Sequence, residues 1–143
     1  MTLRLGIDLG GTKIEGILID EQFQVIKRER VPTRREEGYQ AILSRIVKLA
    51  KSIIKDVPNL ESPIGICTPG TIESETGLLK NSNTVCLIGK PIQDDMEREI
   101  GIPVVMENDA NCFALAEATI GAAKKYNVVF GVILGTGCGG GIT

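Results

Sequence analysis

Residues 5–20 read LGIDLGGTKIEGILID: an apolar strand, a bend of Gly10, Gly11, Thr12 and Lys13, and a second apolar strand. Two runs of aliphatic residues so close together pair as an antiparallel hairpin. An ordinary hairpin turn asks for glycines to supply positive φ, so Gly10 and Gly11 have a structural reading. It does not ask for Asp8 at the end of the incoming strand, or for a threonine and a lysine at the bend. The purpose of those residues has to be sought in the rest of the chain.

Strands are expected over 3–9, 14–20 and 23–31, the third passing from Phe23 and Val25 to charged Lys27 and Glu29 as an outer strand does. After Pro32-Thr33, Ile42, Ile46, Leu49, Ile53 and Val57 recur every three to four positions and predict a helix over 36–57. A short buried strand over 63–68, a turn at 74–77 within a surface excursion, and a helix over 91–100 come next. Asp94 and Asp95 suit the positive end of that helix, and Gly101 stops it. A strand over 103–106, a helix over 110–120 ended by Gly121, and a strand over 128–134 complete the series.

The order β-β-β-α-β-α-β-α predicts a mixed sheet with helices on its faces, a three-layer α/β domain over 1–121. Residues 133–143, ILGTGCGGGIT, repeat the opening pattern, with Gly135, Thr136 and Gly137 after an apolar strand and a small-residue run able to return. Residues 122–143 are therefore expected to be a hinge and the start of a second, similar domain. Glycine bends at two related strands suit phosphate, because they admit oxyanions to backbone N–H groups.

Composition narrows the partners. With 143 residues, 43% of them hydrophobic, the chain can bury one good core. A net charge of −2 offers no polybasic patch, and two tyrosines and three phenylalanines offer little to stack on bases, so no nucleic-acid partner is expected. No signal-peptide pattern or bilayer-length apolar run occurs, so no membrane partner is expected and the location is read as cytoplasmic. Cys67, Cys86, Cys112 and Cys138 form no C-x-x-C pair and read as reduced, buried thiols. Histidine is absent, which leaves carboxylates as the proton acceptors.

Neither bend is a Walker loop, because Thr12 precedes Lys13 where that motif needs Lys before the hydroxyl residue. Residues 135–140 match G-x-G-x-x-G after a strand, but the helix and acidic residue that a dinucleotide site also needs are not within the sequence. Asn108-Asp109-Ala110-Asn111 has two readings. One is a helix N-cap; the other is a carboxylate at a strand-to-helix junction facing the crevice where α/β sheets bind ligands. The two can coexist.

Together, GIDLGGTKIEG, GICTPG, KNSNT, GKP, PVVMENDANCFALAEA and GTGCGGGI resemble, in order and spacing from about residue 3 to 143, the ROK family of bacterial sugar kinases and sugar-responsive repressors. That family lies within the hexokinase and actin superfamily, of ribonuclease H-like fold. The resemblance implies an ATP- and Mg2+-dependent hexose kinase that phosphorylates a sugar primary hydroxyl. Asp8, Gly10, Gly11, Thr12 and Lys13 match its first phosphate-binding hairpin, with Asp8 orienting the magnesium hydration shell. Gly135, Thr136 and Gly137 match the second hairpin. Asp109 matches the catalytic aspartate, Asn108 a sugar-binding side chain, and Gly70 and Asn83 positions that border the hexose.

TGLLKNSNT followed by LIGKP is most similar to the fructokinase and mannokinase branch, ahead of glucokinase and N-acetylglucosamine kinase. The resemblance further implies a second domain with the remaining sugar ligands, the adenine pocket and a structural zinc, and a homo-oligomer when intact. The 143 residues alone are then expected to be weakly active or inactive. A sugar-responsive repressor is disfavoured because Met1 stands two residues before the first strand; a non-catalytic sugar-binding relative is disfavoured by the presence of Asp8 and Asp109.

Overall fold

The computed structural model describes residues 2–57, 60, 62–135 and 137–143. Strands β1 (Arg4–Leu9), β2 (Lys13–Ile19) and β3 (Val25–Pro32) are followed by a 3-10 turn at Arg35–Glu37 and helix α1 (Tyr39–Ile53). Strand β4 (Ile64–Thr68) leads to a short ladder of β5 (Thr71–Ile72) and β6 (Leu79–Lys80), a 3-10 turn at Val85–Leu87 and helix α2 (Ile92–Ile100). Strand β7 (Val104–Asn108), helix α3 (Asp109–Thr119), and strands β8 (Phe130–Leu134) and β9 (Cys138–Ile142) complete the order. The main sheet runs β3-β2-β1-β4-β7. The first three strands form an antiparallel meander, and β4 and β7 add in parallel with β1.

Period-two patterning sets the core face. Leu5, Ile7 and Leu9 of β1, Ile14 and Leu18 of β2, Ile64 and Ile66 of β4 and Val104 of β7 are all buried. Ile42, Ile46, Leu49 and Ile53 of α1 and Ile92 and Met96 of α2 join them in one cluster. Each such aliphatic side chain contributes about 1.5–3 kcal/mol on burial. Tyr39 donates to Asp95 and so ties the start of α1 to α2, while Arg98 pairs with Asp95 at 2.6 Å. Cys67 alternates with Ile66 and Thr68 on β4, so it points to the opposite face, and α3 packs there, against β4 and β7. Helices thus cover both faces of the mixed sheet, two on one side and α3 at the β4–β7 end of the other.

The helix expected over 36–57 is shorter at both ends. Gly38 takes φ 84°, which interrupts the chain between the 3-10 turn and α1, and α1 ends at Ile53. Val57 still packs on the core, so the apolar spacing outruns the helix. The third strand begins at Val25, because Asp20 Oδ1 accepts the N–H groups of Gln22 and Gln24, both at 2.9 Å, and holds Phe23 in a turn. Residues 69–90 were expected only as an excursion with a turn at 74–77. They carry the β5–β6 ladder and the Val85–Leu87 turn, whose Leu79 and Leu87 are buried.

Strands β8 and β9 form a separate two-stranded ladder. It lies on α3, and Gly141 comes so close to the Ala110 carbonyl that a Cβ there would collide with it.

A single buried residue pins the β1–β2 bend from behind. Thr33 Oγ1 donates to the Gly10 carbonyl at 2.7 Å, the Thr33 N–H donates to the Thr12 carbonyl at 2.9 Å, and Arg45 donates to the Thr33 carbonyl at 2.7 Å. Thr33→Val keeps the side-chain shape and removes the donor to Gly10. It is expected to destabilise the fold by about 1–3 kcal/mol, read as a lower urea midpoint at unchanged slope.

Candidate functional site

Because β1, β4 and β7 are parallel, their carboxyl ends open on one edge of the sheet. Asp8, Cys67 and Glu107 are neighbours across the three strands. The loops that leave this edge, together with the β8–β9 bend, enclose a cleft of about 880 Å³. Asp8, Gly10, Gly11, Thr12, Lys13, Gly70, Asn83, Asn108, Asp109, Gly135 and Gly137 all line it. Thr136 lies outside the described residues. Arg35, Thr71, Asn81 and Asn111 also line the cleft.

The two glycines of the first bend differ. Neither has positive φ, so the ordinary turn explanation does not apply. The Gly10 N–H donates to the Lys13 carbonyl at 3.0 Å, and a Cβ on Gly10 would stand 2.8 Å from that same oxygen. Gly10 is thus required by the bend itself. A Cβ on Gly11 would meet only Thr84 Oγ1 at 3.8 Å, an ordinary contact. Packing gives no reason for glycine at that position, and its missing side chain leaves cleft space and backbone open to a ligand.

At the β7–α3 junction the two readings are both present. Asn108 Oδ1 accepts the Ala110 N–H at 3.0 Å, and Asn108 Nδ2 donates to the Gly70 carbonyl at 2.8 Å. Asn108 therefore caps α3 and anchors the loop after β4. Gly70 sits at φ 100° against the Lys80 carbonyl, a place no side chain could share. Asp109 Oδ1 takes a second share of the Ala110 N–H at 2.8 Å, which fixes the carboxylate at the head of the helix. From the other wall, Asn83 Nδ2 faces Gly137 of the second bend, 3.8 Å from where a Cβ would stand.

Charge is concentrated here. Asp8 stays open to the cleft, yet surrounding protein desolvates its carboxyl and raises its pKa, helped by Asp109 and Glu15 and opposed by Lys13. The Cys112 sulfur and burial push the Cys67 thiol up, and Cys67 in turn holds Cys112 down. Among the described residues, no group of three His, Cys, Asp or Glu side chains is placed to hold a metal ion.

Sequence reasoning missed Thr33, Arg35 and the thiol pair. A lone threonine after a strand carries no pattern, and Cys67 and Cys112 stand 45 positions apart in sequence. The one available signal was the Thr in KNSNT: Thr84 and Ser82 alternate inward with Asn83 facing the cleft.

The profile of the ROK family matches residues 4–143. An N-acetyl-D-glucosamine kinase of Vibrio atlanticus is 42% identical over 137 residues, which take in 96% of this chain and 45% of that protein. A ROK hexokinase from Thermus thermophilus superposes with a TM-score of 0.85 at 31% identity, over 99% of this chain and 47% of that one. A ROK family glucokinase from Streptomyces griseus, solved with glucose and AMPPNP, gives 0.85 and 31% over 98% of this chain and 44% of its own. The chain spans about half the length of the curated relatives it matches. With the family profile matched over nearly all of its residues and the cleft at its expected edge, the chain belongs to the ROK family.

Proposed function

We propose that this chain is the phosphate-binding and acceptor-activating half of an ATP-dependent sugar kinase, with Asp109 as general base and N-acetyl-D-glucosamine as its sugar. The observation that carries the mechanism is one cleft lined by two carboxylates from the ends of β1 and β7, on either side of β4, a lysine, and a bend whose Gly11 has no packing reason to lack a side chain. The similarity to N-acetyl-D-glucosamine kinases supports the sugar, and the fructokinase or mannokinase preference expected from residues 76–91 gains no support from those relatives. Residues 122–143 are read as a hinge and the first hairpin of a second domain, in keeping with the separate β8–β9 ladder.

The donor set fits a magnesium–nucleotide. The cleft offers Asp8 and Asp109 as its carboxylates, with no three-residue metal cluster among the described residues, which suits a hard cation carried in on phosphate oxygens rather than held in a protein cage. Asp8 would hold it through water; when bound, magnesium neutralises charge on the transferring phosphoryl oxygens. Gly11 and Thr12 would offer backbone N–H groups to phosphate, and Lys13 would add positive charge. Gly135 and Gly137 would do the same from the facing bend, with Thr136 between them. Asp109, held by the Ala110 N–H through Oδ1, keeps Oδ2 to accept the proton of the sugar hydroxyl as it attacks. Asn108, Gly70 and Asn83 would border the sugar. Positioning and electrostatics supply most of the rate in such transfers.

Activity is to be measured as sugar-dependent ADP release from the protein expressed from its complete reading frame. N-acetylglucosamine, glucose, mannose and fructose are tested in parallel. Turnover led by N-acetylglucosamine is expected; leadership by fructose or mannose would overturn the sugar, and sugar binding without turnover would overturn the kinase.

Asp109→Asn keeps the acceptor for the Ala110 N–H and removes the base. It is expected to fold normally and to lose roughly 10²- to 10⁴-fold in kcat. Near-normal turnover in the folded variant would remove Asp109 from the mechanism.

Asp8 makes a pH-linked prediction. Desolvation and the nearby carboxylates disfavour its charged form, so the native chain holds this proton to higher pH than the unfolded chain does. Above that pH the charge opposes folding, and protonation on moving down toward the ordinary carboxylate range relieves it. At pH 7, Asp8→Asn is expected to raise the thermal midpoint slightly while lowering magnesium-dependent turnover on the order of 10²-fold. A drop in both would mark Asp8 as structural.

A further inference from the structure

Arg35 lines the cleft, and the kinase reading gives it no task. The other arginines around its loop are paired: Arg34 and Arg45 both meet Glu37, and Arg28 and Arg30 both meet Glu15. Among the described residues Arg35 has no carboxylate partner. Its backbone, by contrast, is fastened in place. Two residues before it, buried Thr33 bonds to the Gly10 and Thr12 carbonyls of the first glycine bend. Arg34 takes φ 49°, a left-handed conformation that costs a non-glycine residue free energy and that concentrates at ligand sites. The Arg35 carbonyl accepts the Gly38 N–H at 3.2 Å and the Cys86 thiol at 3.7 Å. A fixed backbone beneath an unpaired guanidinium suits an anion that comes from outside the chain.

The surroundings of Arg35 say which anion. Arg35 and Asn83 line both the main cleft and a side hollow of about 320 Å³ completed by Glu36, Val85 and Cys86. Asn83 faces Gly137 of the second bend, and its neighbour Thr84 stands against Gly11 of the first. Arg35 therefore enters the cleft where the residues read as bordering the sugar meet both glycine bends. Lys13 belongs to the bend itself and suits the nucleotide phosphates, whereas Arg35 is placed for the group that passes between the two substrates.

We propose that Arg35 holds the phosphoryl group on the acceptor side of the cleft, during transfer and on the sugar phosphate that results. The chemistry rests on the kinase reading. As the sugar oxygen forms its bond to the γ-phosphorus, the bond from that phosphorus to the bridging oxygen breaks. ADP keeps the electron pair, and the hydroxyl proton passes to Asp109. A planar guanidinium meets two phosphoryl oxygens at once and stays charged throughout. It also offsets the repulsion that Asp8 and Asp109 exert on the negative group between them.

The test uses the protein expressed from its complete reading frame, as wild type, Arg35→Gln, Arg35→Lys and Arg34→Gln. The Arg35 side chain is exposed and unpaired among the described residues, so its variants are expected to keep the wild-type thermal midpoint. Calorimetry measures the affinity for N-acetylglucosamine, its 6-phosphate and ADP, each alone. Arg35→Gln is expected to weaken the sugar phosphate about 10- to 100-fold, as loss of a charge-assisted pair of hydrogen bonds does, and to leave the free sugar and ADP within about twofold. In turnover it is expected to lower kcat on the order of 10²-fold with little change in the KM for sugar. Arg35→Lys recovers part of both, and Arg34→Gln, which removes the same charge one residue away, changes neither.

Sugar phosphate that wild type binds no more tightly than Arg35→Gln does would overturn the proposal. Weakened ADP with the sugar phosphate unchanged would do so too, by placing Arg35 with the nucleotide. Equal losses for sugar and sugar phosphate, or a loss in Arg34→Gln as large as in Arg35→Gln, would also overturn it. Wild type that turns over no sugar, yet binds the sugar phosphate through Arg35, would count against the kinase reading and leave the phosphate site standing.

Discussion

The parallel pairing of β1, β4 and β7 is the constraint from which the rest of the molecule follows. Parallel neighbours cannot be joined by a tight turn, so each crossover must carry a helix or a long connection. Those crossovers deposit α1 and α2 on one face and build the core there. The same pairing points three strand ends in one direction. Asp8, the loop at Pro69-Gly70 and the Asn108-Asp109 junction leave the sheet side by side, however far apart they lie in sequence.

The site that results is less comfortable than the core beneath it. Asp8 faces Asp109 and Glu15 with Lys13 as the opposing charge, and its charged form is disfavoured in the folded chain. A carboxylate kept where folding alone would favour a neutral group is the pattern of a position retained for binding. Gly11 has the same character, since an alanine would cost it little in packing. Gly10 and Thr33 are different: they hold the bend in shape, one by the absence of a side chain and the other by two hydrogen bonds. Adjacent residues of one motif thus divide between shaping the loop and leaving room in it.

The core strands and helices α1 and α2 were legible because each has a periodicity long enough to read, and α3 through its start at Asn108-Asp109 and its stop at Gly121. The alternation in β1 and the spacing of Ile42, Ile46, Leu49 and Ile53 in α1 are examples. Boundaries failed where a local backbone event outweighed the pattern, at Gly38 and at the Asp20 turn. The β5–β6 ladder was illegible because two-residue strands have no period. The residues assigned to the cleft were legible through resemblance, as members of ordered motifs. Thr33 and the Cys67–Cys112 pair depend on long-range register, which no local pattern encodes.

The Asn108-Asp109 junction shows why capping and chemistry need not compete. A helix start needs an acceptor for its free N–H groups, and Asn108 supplies one while its amide holds Gly70 at the opposite wall. Asp109 shares the Ala110 N–H through one oxygen, which fixes the orientation of the other. The β8–β9 hairpin lies on the same turn, with Gly141 against the Ala110 carbonyl. Ala110 thus meets the carboxylate at its N–H and strand β9 at its carbonyl, so one residue sets the spacing of both.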